Sequence, residues 1–289
     1  MVLGVATALF AARTLARNTD WQNALTLATS AVRVSPNSFK GHTMIAEALF
    51  AADGSHANID RAIEEADRSV AILDPVPDVR NHAPTFRLAA GFYLLRGDRQ
   101  FRHDLGGDTQ PPPSALADYR KALPLALRYA SIIVKSGAGG TLADARELLA
   151  GVYLRAGDTE SALRSAQEAG SLDPFRPGTY RLKSDALLGS GRAEDAAVTL
   201  YEGILVTSDP ALRRRLLDLY SYSHVLNSGG CALLAGPNGP AINPRCSTVR
   251  QQICRAAPGA LRTLANAGRE DAKRALAATL VQDSGCNVR

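Results

Sequence analysis

Apolar positions recur every three or four residues along most of the chain, and many of them are filled by alanine or glycine. The clearest example runs from Leu149 to Pro174. Leu149, Ala150 and Tyr153 line one face of a first helix, Gly157-Asp158 turns the chain, and Ala162, Ala166 and Ala169 line a second helix that stops before Pro174. Neighbouring segments repeat this pattern imperfectly. Trp21, Ala24, Ala28, Ala31 and Pro36 outline a second helix. Ile45, Ala46 and Leu49 precede a loop over Ala52 to Asp60 and a helix carrying Ala62, Ala66 and Val70. Leu88, Ala89 and Phe92 lead to a turn expected at Gly97-Asp98, and their partner helix (Ala115, Tyr119, Ala122, Leu123) comes after an insertion over Gln100 to Pro113. Two glycines and three prolines in that insertion predict a mobile loop. Ser136 to Thr141 reads as a glycine-rich connector, and a last hairpin runs from Tyr180 to Pro210 with Ala196 and Leu200 in its second helix.

The Leu149–Pro174 hairpin resembles a tetratricopeptide repeat, and about five such hairpins span residues 18–210. The expected fold is all-α, a tetratricopeptide-repeat α-solenoid in which stacked neighbours bury one continuous core. In repeats of this type the first helices line the concave face. That register selects Lys40, Thr43, Glu47 and Phe50, then Phe86 and Tyr93, then Asp144, Glu147 and Arg155, and finally Arg181 and Asp185 as candidates for a peptide-binding groove mixing charge with exposed aromatics.

Residues 211–289 depart from the repeat. Leu212, Leu216, Leu219 and Tyr220 form one face of a closing helix, an irregular loop comes next, and a short helix capped by Ser247 runs to Arg255. Pro258 to Ala267 and Glu270 to Gln282 then form an antiparallel pair turning at Gly268. All four cysteines, Cys231, Cys246, Cys254 and Cys286, lie in this region. Their C-x14-C-x7-C-x31-C spacing lacks the short pairs of a zinc site and predicts two disulfides, hence a disulfide-tied helical cap in an oxidising compartment. Three connectivities are possible. The returning helix pair favours Cys254 with Cys286, leaving Cys231 for Cys246.

Met1 to Ala12 is apolar apart from Thr7, too short to span a bilayer alone, and residues 1–17 are read as a membrane-proximal helix. Two alternatives stand: the first helix of the first repeat, with a face buried against its neighbour, or the end of a transmembrane helix. Next along the chain come Arg13-Thr14, Arg17-Asn18, Asp20-Trp21, Pro36-Asn37-Ser38 and His42. These residues resemble the junction in transmembrane and tetratricopeptide repeat-containing O-mannosyltransferases. The resemblance implies that the repeats recognise a protein acceptor on the periplasmic or lumenal side of a membrane. In that family a multi-spanning region performs glycosyl transfer from a lipid-linked mannose.

Composition adds little chemistry. A net charge of +5 is dispersed, and the Arg213-Arg214-Arg215 run reads as a solvated helix face, so no nucleic-acid partner is expected. His42, His56, His82, His103 and His224 are scattered, and the acidic pairs Glu64-Glu65 and Glu194-Asp195 are read as complementing the starts of second helices. No catalytic residue, metal ligand or cofactor is assigned, and the chain is expected not to be an enzyme on its own. Its partners are a protein or extended peptide, with possible membrane association through residues 1–12. An alternative with the same fold is a stand-alone exported scaffold that organises an envelope complex.

Overall fold

The structure, a computed structural model, describes residues 2–52, 57–101, 111–137, 142–223, 230–235 and 239–286. The expectations for Gln100 to Pro113, Ser136 to Thr141, the Ala52 to Asp60 loop, and His56, His103 and His224 fall partly or wholly outside these residues. The chain forms two compact units, one over Met1–Phe101 and Pro112–Gly137, the other built mainly from the residues after Gly137. The closing helices therefore belong to the same unit as the last repeats.

In the first unit, α1 (Val2–Asn18), α2 (Ala24–Val34), α3 (Phe39–Ala51), α4 (Ile59–Leu73), α5 (Ala83–Gln100) and α6 (Pro113–Ser136) succeed one another. From α2 on, each helix packs on the next. Alanines set the seams: Ala46, Ala62, Ala90, Ala122 and Ala126 are all fully buried, so facing helices approach closely. Gly97 is not a turn residue as expected. It sits inside α5, where a Cβ would lie 2.4 Å from the Tyr119 ring, so the glycine admits that ring instead of breaking the helix.

Two further sequence expectations change here. Glu65 lies well inside α4 and complements no helix start; it accepts from the buried His42 Nδ1 at 2.6 Å, while Nε2 meets the Pro36 carbonyl at 2.8 Å. And α1 buries no face against a neighbour: Val5, Leu9, Phe10 and Leu15 are 57–70% exposed. No helix among the described residues is long and apolar enough to cross a membrane.

A polar link ties the loop before α5 to α6. Asp78 accepts from Ser131 Oγ at 2.7 Å and Lys135 Nζ at 2.8 Å, and pairs with Arg128 at 2.6 Å. The Lys135 and Ser131 hydrogen bonds, with Arg128 adding its charge, hold the carboxyl below its ordinary pKa against the effect of burial.

The second unit contains α7 (Leu142–Arg155), α8 (Thr159–Leu172), α9 (Pro177–Gly189), α10 (Ala193–Thr207), α11 (Pro210–Tyr222), α12 (Ser247–Asn266) and α13 (Glu270–Thr279). Helices α7 with α8 and α9 with α10 are hairpins, and α9 also packs on α7, α8 and α11. The sequence explains the turns. Gly157 and Gly191 supply positive φ, Asp158 caps α8 through the Ser161 amide, and Pro177 and Pro210 open α9 and α11. Tyr180, Leu200, Leu212, Leu216, Leu219, Tyr220 and Val249 form the core joining repeat to cap. Within it Tyr201 and Tyr220 hydroxyls meet at 3.2 Å, and Tyr220 donates to Gln252. Burial pushes the Tyr220 phenol up to about 12, so this network stays neutral.

The cap differs from expectation in two places: the loop read as irregular contains a short antiparallel pair, β1 (Leu233–Leu234) with β2 (Ala241–Ile242), and a single α12 runs through Pro258, where two helices were anticipated, with Cys246 instead of Ser247 as its N-cap. Proline removes one helix bond, but Ala256, Ala257 and Ala260 are buried on either side, which holds the helix together. Gly268 turns the chain into α13 at φ +69°, and the return joins Cys254 to Cys286, with Cys231 joined to Cys246. Each closed loop stabilises the cap by on the order of 3 kcal/mol through chain entropy. Arg255 pairs with Glu194 and Asp195 of α10, and Arg269 lies 3.9 Å above the Phe175 ring, so charge also anchors the cap to the hairpins.

Two variants test this packing. A Cβ on Gly203 would stand 2.6 Å from Tyr180 and 2.8 Å from Leu212. Gly203→Ala should therefore lower stability by about 1–3 kcal/mol despite alanine's higher helix propensity; an unchanged or raised Tm would contradict the close approach. For Asp78, a depressed native pKa means its stabilisation is present above the unfolded pKa and is lost as pH falls through the lower native value. Asp78→Asn should cost about 1 kcal/mol at neutral pH, a modest figure because Lys135 and Arg128 are partly exposed. The gap from the parent in denaturant titrations should begin to close below about pH 4 and vanish once pH has fallen through the lower native pKa; a gap that persists below that value would point to lost packing instead.

Candidate functional site

The eleven groove candidates separate into three groups. Lys40 and Glu47 on α3 are exposed and flank His82, whose pKa is lowered by burial and then by Lys40, with Glu47 opposing. Thr43 and Phe50 are half-buried in the seams of α3. The Thr43 hydroxyl contacts Ser69 at 2.8 Å and Thr85 at 3.3 Å, and the Phe50 ring lies 5.2 Å from that of Phe92.

Phe86 and Tyr93 are core residues, at 2% and 4% exposure, so the exposed aromatics expected there are absent. Arg128 of α6 lies over the Phe86 ring, and Tyr93 donates to Asp67 of α4 at 2.6 Å beneath Lys121 of α6. The physical reason is that α4 and α6 both close over α5: Asp67 of α4 and Lys121 and Arg128 of α6 meet these side chains, so the rings lie in the seam.

The remaining five candidates lie on the first helices of the second unit. Arg176, at the start of α9, pairs with Asp144 and, at 2.7 Å, with Glu147, both on α7. Gly178 permits the approach, since a Cβ there would strike the Glu147 carboxylate. Asp144 and Glu147 therefore clamp α7 to α9.

One or two turns away, Asp185 of α9 takes both Nε (2.9 Å) and Nη2 (2.7 Å) of Arg215 on α11. Burial pushes the Asp185 carboxyl above its ordinary pKa, opposed by Arg215, then Arg181, then Arg155. Residues from α7, α9 and α11 thus converge on one carboxylate. Arg155 donates to the Gly151 carbonyl at 3.2 Å, and Arg181 is exposed.

Two participants were not singled out by sequence. Arg215 belongs to the run read as a solvated face, and only Arg213 and Arg214 are exposed. Its signal was its place beside Leu212, Leu216 and Leu219, on the edge of the buried stripe. Arg176 was detectable only from its position just before Pro177, where a side chain can reach back over the preceding hairpin.

The first unit has a separate open cleft of about 690 Å³ lined by Asp60, Arg96, Gln100, Asp118 and Lys121, among others. Arg96 spans it, bonded to Asp118 at 2.6 and 3.0 Å and to Asp60 at 2.7 Å, so its charge is already matched.

The consecutive hairpins and cystine-tied closing helices define the class: an all-α helical repeat of tetratricopeptide type with a disulfide-tied cap. No family model matches the chain, and no curated protein does. Among solved structures, it is similar to the assembly chaperone of RpL4 (Acl4, residues 1–338), at 13% identity over 96% of this chain and 95% of that one, with a TM-score of 0.48. It is also similar to YrrB, described as a TPR protein with an unusual peptide-binding site, at 15% identity over 64% of this chain and 94% of that one, with a TM-score of 0.27.

Proposed function

We propose that the chain is a protein- or peptide-binding repeat module on the periplasmic or lumenal side of a membrane, where it presents acceptor polypeptides to an O-mannosyltransferase-like enzyme and performs no chemistry itself. The observation that carries the binding part is the gathering of polar side chains on two first helices and the closing helix: Asp185 of α9 takes two bonds from Arg215 of α11, and Arg181 of α9 and Arg155 of α7 act on the same carboxylate. Polar side chains on neighbouring helices, at the edge of the Leu212–Leu216–Leu219 core, suit an extended chain laid across the helices.

Two features favour the placement. The cystines Cys231–Cys246 and Cys254–Cys286 suit an oxidising compartment. The exposed apolar residues of α1 suit a lipid boundary, and the residues carrying the mannosyltransferase resemblance begin in its last turns and run on after it. There Asp20 accepts from Ser30 at 2.7 Å and lines a small pocket with Arg17 and Trp21. The cystines equally favour the second reading, a stand-alone exported scaffold.

Selection on the purified, oxidised protein separates the two. Acceptor presentation predicts enrichment of short unstructured sequences from a displayed random-peptide library, with enrichment reduced when Arg155 and Arg181 are both replaced by alanine. Recovery of folded domains alone, with no peptide enriched, would favour the scaffold and overturn acceptor presentation.

A further inference from the structure

The two cystines secure very different amounts of structure. Cys231–Cys246 closes a loop that is held by other means as well. There β1 pairs with β2, and Asn243 donates its backbone N–H to the Ala232 carbonyl and its side-chain amide to the Cys231 carbonyl, each at 2.8 Å. Cys246 also belongs to the core around Leu216 and Tyr220.

Cys254–Cys286 ties α13 and the turn Leu280–Ser284 back to α12 across 32 residues of sequence. Helix α13 has no buried residue, and beyond it only Leu280 and Cys286 are buried among the described residues. Its ion pairs, Lys273 with Glu270 and Arg274 with Asp271, stay within the helix. Among the described residues, no hydrogen bond or ion pair joins residues 270–286 to α10 or α12. What remains besides the cystine is a small apolar cluster, in which Leu280 and Leu276 meet Ile253, Ala257 and Leu261 of α12 and Leu205 of α10. At 10 residues, α13 is too short to stay helical in water without support. Helix α12, in contrast, needs no tether. It packs on α10, buries Val249, Ala256, Ala257 and Ala260, and reaches Glu194 and Asp195 through Arg255.

We infer that Cys254–Cys286 is a redox-operated latch: oxidised, it straps α13 over α12; reduced by a dithiol, it releases residues 270–286 and bares Ile253, Ala257 and Leu261 while the helical repeat stays folded. Cys254 is partly exposed and Cys286 is buried, so an incoming thiolate meets Cys254 first. A new S–S bond forms to Cys254 as the old one breaks, and Cys286 leaves as a thiolate that takes a proton from water. The reagent's second thiol then displaces Cys254. Two electrons pass from dithiol to cystine, and the reagent departs as a disulfide. The latch is independent of the peptide-binding function proposed above, whose residues all precede Cys231.

The test titrates the full native chain with dithiothreitol, alkylates free thiols at each step and follows amide exchange. Cys254 and Cys286 should be alkylated as a pair before Cys231 and Cys246, which the strand pair keeps side by side so that their bond recloses. Amides of α13 and of Leu280 to Cys286 should then exchange at least about tenfold faster, with α7 to α10 unchanged. The double variant Cys254→Ser/Cys286→Ser should show the same faster exchange without reductant, and should lose the helical circular dichroism of α13.

Unchanged exchange of α13 in the variant would mean that packing alone holds it, and would overturn the latch. So would thiols that become accessible only when all four appear together. Loss of protection throughout α7 to α12 in the variant would equally overturn it, because the cystine would then support the whole unit.

Discussion

Close approach of helices at seams of alanine and glycine is the constraint on which this protein depends. Ala162, Ala166, Ala196, Ala197 and Leu200 are fully buried, and Gly203 leaves no space for a methyl group between Tyr180 and Leu212. Small side chains contribute little apolar area each, so stability comes from many short-range contacts along successive hairpins and not from one large core. The same economy keeps bulky groups scarce. Large buried residues gather at the seam of α5 and α6, with Phe86, Phe92, Tyr93, Tyr119 and Tyr129, and where the repeat is closed, at Tyr201, Leu212, Leu216, Leu219 and Tyr220; two cystines secure the closing segment from Cys231 to Cys286.

This constraint decides what a side chain on a first helix can do. Where neighbours on both sides close over a first helix, as α4 and α6 do over α5, residues at nominal groove positions are covered, and Phe86 and Tyr93 become core. On α9 Arg181 stays exposed while Asp185 is largely buried. Carboxylates and guanidiniums there pair between helices, fixing α7 to α9 through Arg176 and α9 to α11 through Arg215. The proposed recognition and the observed helix alignment draw on the same set of charges.

Periodicity made the architecture legible. Alanine spacing marked the hairpins, Gly157-Asp158 and Gly191 marked turns, and the spacing of Cys254 and Cys286 across a returning pair of helices marked the second cystine. Gly97 and Pro258 were misjudged for a common reason. A residue's local preference to break a helix was outweighed by tertiary packing, against Tyr119 in one case and around Ala256, Ala257 and Ala260 in the other. The site was less legible. Helical register placed Asp144, Glu147, Arg155, Arg181 and Asp185 on one side of their helices, but pairing across helices from distant sequence is invisible in register alone. Arg176 and Arg215 therefore emerged only once α7, α9 and α11 were seen together.

Partner binding on the first-helix face of the second unit is measured most directly by amide hydrogen exchange of the oxidised chain, free and saturated with a selected peptide. Added protection should concentrate in α7, α9 and α11, leaving the Cys254–Cys286 cap unchanged. Protection confined to the cap, or to the cleft beside Arg96, would contradict binding at this face.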